Sequence, residues 1–108
     1  MITVWIPSLP TRYDAATHTR VPSLDLNAAA RYGAMVNMTT GDQKPIQESI
    51  AEIENASQDV QSDDLILCVG DVVLCAAAIS LVNQQNGHVN LLRWDRLRRT
   101  YEIEVVKL

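Results

Sequence analysis

Residues 63–86 read Asp-Asp-Leu-Ile-Leu-Cys-Val-Gly-Asp-Val-Val-Leu-Cys-Ala-Ala-Ala-Ile-Ser-Leu-Val-Asn-Gln-Gln-Asn. No other stretch narrows the choice of fold as far. Leu65 to Val69 form an uninterrupted apolar run, the pattern of a strand covered on both faces. Gly70 permits a sharp turn, and Asp71 is a good N-cap for a helix that starts at Val72. Ala76, Ala77 and Ala78 let that helix approach a sheet closely. Its end at residues 83–86 is polar, and Gly87 closes it. A buried strand, a tight turn and a small-residue helix make the repeating unit of an α/β fold.

The flanking segments extend that unit. Ile2, Val4 and Ile6 alternate with Thr3 and Trp5, so the chain opens on a short strand. Pro7 and Pro10 cannot donate to a ladder, which places this strand at a sheet edge. Residues 7–24 carry three of the four prolines among Thr, Ser, Arg and Asp. They read as an extended arm or long loop, a feature often functional or part of an oligomer contact. Asp25 caps a short helix through Tyr32, and Gly33 ends it. Residues 34–39 form a strand leading to Thr40-Gly41-Asp42. Pro45 opens a helix whose inward face carries Ile46, Ile50 and Ile53, with Val60 beyond. Residues 88–94 and 101–108 alternate as two strands of a hairpin, with Val89, Leu91, Ile103 and Val105 as core residues.

Strand–helix–strand–helix–strand predicts parallel pairing with right-handed crossovers. The expected architecture is a single α/β domain over residues 1–108. It has a small mixed sheet with helices packed on it, and its βαβαβ core, in Rossmann-like order, is closed by a C-terminal antiparallel hairpin.

The chain has 108 residues, enough for one ordinary domain. Its net charge of −4 argues against broad, non-specific nucleic-acid binding, which needs a field of Lys and Arg. It still allows one local basic surface. Cys68 and Cys75 are too few for a disulfide framework and read as small buried hydrophobes. His18 and His88 are isolated, so no metal site and no cofactor are expected. No apolar run reaches the length that spans a bilayer, and the N-terminus lacks the pattern of a secretory signal. The default address is the cytosol.

Three features could carry function. Arg93, Trp94, Arg96, Arg98 and Arg99 sit within seven residues and form the only basic cluster. Arginine binds phosphate or carboxylate bidentately, and Trp94 can stack on a base. The same residues also suit a solvated turn with internal ion pairs, a protein interface, or a nucleic-acid contact. The arm offers Arg12, Tyr13 and Arg20, either to a partner subunit or to one face of the sheet. Thr40, Gly41, Gly70 and Asp71 lie in loops at the C-terminal ends of two strands. In parallel sheets ligands collect at that edge, and two such loops could line one crevice. These loops lack the further glycines and the lysine of phosphate-binding motifs, and caps and turns also explain them. No side chains form a nucleophile–base set, so no catalytic residue is assigned and the chain reads as a non-enzyme.

The run Asp-Leu-Ile-Leu-Cys-Val-Gly-Asp from Asp64, the Ala-rich helix, Asn-Gly-His-Val-Asn-Leu-Leu-Arg-Trp-Asp-Arg from Asn86, and Tyr101 before a closing strand resemble short uncharacterised proteins encoded by tailed bacteriophages. Residues 30–41 resemble the upstream half of those proteins. The Leu92-Arg93-Trp94-Asp95-Arg96 motif is the most specific part. The resemblance implies a viral protein in the host cytoplasm and transfers no catalytic residue. The expected function is therefore a bacteriophage accessory protein that binds a host or phage protein, as a homo-oligomer. Its contact surfaces are the arm and residues 93–99. A small-ligand or nucleotide-binding module at the Gly41 and Gly70 loops, and a nucleic-acid binder through the arginine cluster, are the alternatives.

Overall fold

A computed structural model describes residues 1–22, 26–40 and 44–108. Its elements in chain order are β1 (Thr3–Ile6), β2 (Thr11–Asp14), β3 (Thr19–Pro22), α1 (Asn27–Ala30), β4 (Ala34–Asn37), α2 (Ile46–Ser57), β5 (Leu65–Leu67), α3 (Val72–Asn86), β6 (Val89–Asp95) and β7 (Thr100–Val106). The expected cap at Asp25 and the Gly41-Asp42 turn lie outside the described residues.

Five strands form one mixed sheet in the order β4-β1-β5-β6-β7, with β2 and β3 forming a separate hairpin. β1 pairs in parallel with β4 and β5, β5 pairs in parallel with β6, and β7 closes the sheet antiparallel to β6. This is the mixed α/β sheet with a terminal hairpin that the sequence predicts. The step from β1 to β4 and the step from β4 back past β1 to β5 run in opposite directions. Crossovers of one hand therefore put α1 on one face and α2 and α3 on the other.

The period-two geometry of a strand divides the core in the same way. Leu65 and Leu67 pack with Val4, Ile6, Leu92 and Ala29 of α1. Ile66 packs on the opposite side with Ile53 of α2, with Leu74, Ala78 and Val82 of α3, and with Val89. The continuous apolar run of β5 is thus explained, because all three of its residues are buried.

Asp71 caps α3, its Oδ1 accepting from the Val73 and Leu74 amides at 2.8 and 3.3 Å. Gly70 turns the chain at a φ of +82°, and a Cβ there would meet the Ser8 carbonyl oxygen at 2.1 Å. The polar end of α3 also has structural work. Gln85 Nε2 and Asn86 Nδ2 both donate to the Val60 carbonyl at 3.2 Å, tying the α2–β5 connection down. At the other end of β5, Asp64 is buried. Its carboxylate accepts from the Thr3 amide, the Trp5 indole Nε1 and the Gln61 amide at 2.9 to 3.0 Å. Burial pushes this carboxyl up, but those three donors outweigh it and the net shift is downward.

Several expectations need correction. β1 is interior rather than at an edge, because Pro7 follows its last residue and removes no ladder donor. The arm contains a regular hairpin, with Arg12 opposite Val21 and Tyr13 opposite Arg20. None of residues 11–22 is buried, so the hairpin projects from the domain rather than covering the sheet. Ile103 and Val105 are not core residues, being 51% and 62% exposed. They sit on the edge strand, on the face that only the four-residue α1 covers, while Leu92 takes the fully buried position there. Ile46 also lies outward at the start of α2, while Ile53 and Val60 are buried in the core and half-buried Ile50 packs against it.

Candidate functional site

α1 is one turn long and packs Ala29 onto the sheet. Beside it, toward the C-terminal ends of β5 and β6, the structure leaves a cavity of about 490 Å3. Its walls are Ala28, Cys68, Val69, Arg93, Trp94, Arg96 and Tyr101. A second recess of about 100 Å3 shares Ala28, Trp94 and Tyr101 and adds Arg31, Tyr32, Arg99 and Thr100. Trp94 and Tyr101 face each other across the hairpin, and their rings meet edge-on at 5.0 Å. Tyr32 meets Tyr101 edge-on at 6.4 Å from the other side, and its hydroxyl donates to the Tyr101 carbonyl at 3.3 Å. An aromatic ridge thus separates the two recesses. The position agrees with the rule that ligands gather at the carboxyl edge of parallel strands.

The arginines around this cavity fall into two groups. Arg93 pairs with Glu104 at 3.2 Å, and Arg98 pairs with Glu102 at 3.4 Å. These are exposed pairs, each contributing little stability. The side chains of Arg31, Arg96 and Arg99 make no hydrogen bond or ion pair among the described residues. The hairpin turn that presents Arg96 and Arg99 is built by Asp95, whose Oδ1 accepts from the Leu97 and Arg98 amides. Arg99 itself holds a φ of 52°, a left-handed conformation that a non-glycine residue adopts at a free-energy cost. Arg93 and Trp94 lie on β6 proper, so the sheet fixes them, and only residues 96–99 form the turn. Leu97, at the tip, is 97% exposed.

The structure therefore brings Arg93, Trp94 and Arg96 to the wall of one cavity and Arg99 to the adjoining recess, and adds Ala28, Arg31, Tyr32, Cys68, Val69 and Tyr101. Sequence reading missed these six. Nothing local marks them, because their meeting depends on β6 lying next to β5 and on α1 crossing that end of the sheet. Cys68 is half-buried on the cavity wall, and burial, with the nearby Cys75 thiol adding to it, pushes its own thiol up to about 11. Burial also raises Cys75, whose thiol donates to the Val69 carbonyl. Both cysteines stay protonated near neutral pH and are free of any disulfide. Among the described residues no cluster of His, Cys, Asp and Glu has the make-up to hold a metal ion.

Arg12, Tyr13 and Arg20 sit apart from this face, on the projecting hairpin. There Arg20 donates to the Thr11 hydroxyl and carbonyl, and Tyr13 reaches His18. The Gly70 corner packs on Ser8, and Thr39 donates its hydroxyl to the Pro7 carbonyl. The chain's own Pro7-Ser8 segment thus lies between the two loops expected to share a crevice. Thr40 directs both its amide and its hydroxyl to Glu52, and Gly41 lies outside the described residues.

A family model of phage Pam3 gp32-like proteins matches residues 2–108. The chain belongs to the phage Pam3 gp32-like protein family. The resemblance carried by residues 30–41 and 64–101 thus reflects a bacteriophage protein family that spans nearly the whole chain. Comparison with curated proteins and with solved structures gives no match. Among the described residues, no helix of this Pam3 gp32-like family member is long and apolar enough to cross a membrane.

One electrostatic consequence concerns Glu52 on α2. The Lys44 ammonium, then the Thr40 hydroxyl, hold its carboxyl down to about 2 from an ordinary 4.5. A carboxyl whose folded pKa is depressed stabilises the fold above its unfolded pKa and loses that contribution as pH falls. Thermal stability should therefore decline between pH 4.5 and about 2, and Glu52→Gln should flatten that decline. Identical melting-temperature slopes for the two proteins would contradict the assignment.

Proposed function

We propose that this family member is a non-enzymatic bacteriophage accessory protein that binds a host or phage protein in the host cytoplasm. The observation that supports this most is the set of unpaired arginines around an aromatic-walled cavity, in a chain of net charge −4. Guanidinium and indole groups beside an apolar-walled recess are the usual anchors of protein interfaces. Among the described residues the side chains of Arg31, Arg96 and Arg99 have no partner to give up on binding, unlike Arg93 and Arg98. The projecting β2–β3 hairpin is the segment through which a second copy would dock, making the protein a homo-oligomer. The Gly41 and Gly70 loops give a small-ligand reading less support. Asp71 is committed to its cap and Thr40 to Glu52.

The test is affinity capture from infected-cell lysate with the partner identified by mass spectrometry. Arg96→Glu combined with Arg99→Glu should lose the partner while the circular-dichroism spectrum stays unchanged. Undiminished capture by that folded variant would refute the assignment of this face.

A further inference from the structure

We infer that the partner presents an acidic peptide segment that inserts one apolar or aromatic side chain into the cavity beside α1; this rests on the protein-binding reading above. Three observations lead there. First, Ala28, Val69, Cys68, Trp94 and Tyr101 give the cavity a largely apolar wall. At about 490 Å3 it falls within the roughly 300–1,000 Å3 typical of built recesses. Second, the charges at its mouth are of one kind. Arg96 lines the cavity, while Arg31 and Arg99 line the recess across the aromatic ridge, and none has an internal counter-charge among the described residues. The occupant that complements both features has an apolar body with carboxylates on either side.

Third, the surroundings disfavour a nucleic-acid strand. Glu102 and Glu104 lie on β7, the strand next to β6, and engage Arg98 and Arg93. These carboxylates offset two of the four arginines of residues 93–99, leaving less charge for a run of phosphates.

The experiment titrates the isotopically labelled full chain with an acetylated Asp-Glu-Phe-Glu-Asp peptide, reading amide and indole N–H shifts by NMR. Three control ligands are the same peptide with Phe replaced by Ala, with its four acidic residues replaced by Lys, and a single-stranded oligothymidylate. The acidic anchor peptide should bind saturably and move the Trp94 indole and the residue 96–99 amides. The Trp5 indole, held by Asp64 at the opposite end of the sheet, should stay still. Removing the Phe, reversing the peptide charge, or using Arg96→Glu with Arg99→Glu should each weaken binding by about tenfold or more. Absence of saturable shifts overturns the inference. So does equal binding of the Ala peptide, or tighter binding of the oligothymidylate. If lysate capture is lost on reversing Arg96 and Arg99 but no peptide binds, the protein-binding reading stands and this inference alone fails. If capture survives that reversal, the reading beneath it fails as well.

Discussion

Gly70→Ala is expected to destabilise the domain by about 3–5 kcal/mol. Two effects combine at this corner. The left-handed φ of +82° strains any L side chain, and the new Cβ would sit 2.1 Å from the Ser8 carbonyl oxygen. Neither group can yield easily. Ser8 directly follows the buried Pro7 behind β1, and Gly70 joins β5 to a helix capped by Asp71. Gly87 provides an internal control. It has nearly the same φ, +80°, but nothing within 4 Å of the position a Cβ would take. Gly87→Ala should therefore show the conformational strain alone, about 1 kcal/mol. Urea denaturation of both variants separates the terms. Equal losses at the two glycines would mean that the close approach of Ser8 contributes nothing.

Asp64→Ala is expected to lose about 3–4 kcal/mol. Its carboxylate satisfies two backbone amides and the Trp5 indole at a buried site, joining β1, the α2–β5 connection and the start of β5. Each donor left unmatched costs on the order of 1–3 kcal/mol, reduced where water can enter. Asp64→Asn should lose less, since its carbonyl oxygen still accepts while its amide meets donors with a donor. Chemical denaturation should also show an unchanged slope with denaturant, because the surface exposed on unfolding stays the same. A loss below 1 kcal/mol for the Ala variant would show that the three donors find other partners.

Much of the fold follows from local pattern. Leu65 to Leu67 read as a doubly covered strand because all three residues are in fact buried, one toward α2 and α3 and two toward α1. Gly70 and Asp71 read as turn and cap because their chemistry is local, and the Asp71 bonds span only two and three residues. The reading failed where position depends on the whole sheet. Ile103 and Val105 alternate like core residues, but alternation cannot tell a covered face from an uncovered one at an edge strand. Pro7 suggested an edge because its missing donor was counted inside a strand that in fact ends one residue earlier. The arm hid a hairpin because its turn, Ala15-Ala16-Thr17-His18, carries no glycine. His18 supplies the left-handed residue instead, at a φ of 54°.

The candidate site divides along the same line. Arg93, Trp94, Arg96 and Arg99 stood out, with Arg98, as a cluster in sequence, and these four line two adjoining recesses. Sequence could not separate Arg93 and Arg98, which pair with glutamates on the neighbouring strand, from Arg96 and Arg99, whose side chains have no partner among the described residues. That division requires the β6–β7 register, in which Arg93 faces Glu102 and lies diagonally from Glu104. Tyr32 and Tyr101 are far apart in the chain and meet only because α1 crosses the end of β7.

The central claim is that partner binding runs through the unpaired arginines at the cavity rather than through the arm. Capture from lysate by two charge-reversed variants tests it most directly. One carries Arg96→Glu with Arg99→Glu, and the other carries Arg12→Glu with Arg20→Glu on the projecting hairpin. Both change net charge by the same amount, so a general electrostatic effect would weaken them equally. The account predicts loss of the partner for the first and retention for the second, with both proteins folded. Retention by the first, or equal loss by both, would contradict it.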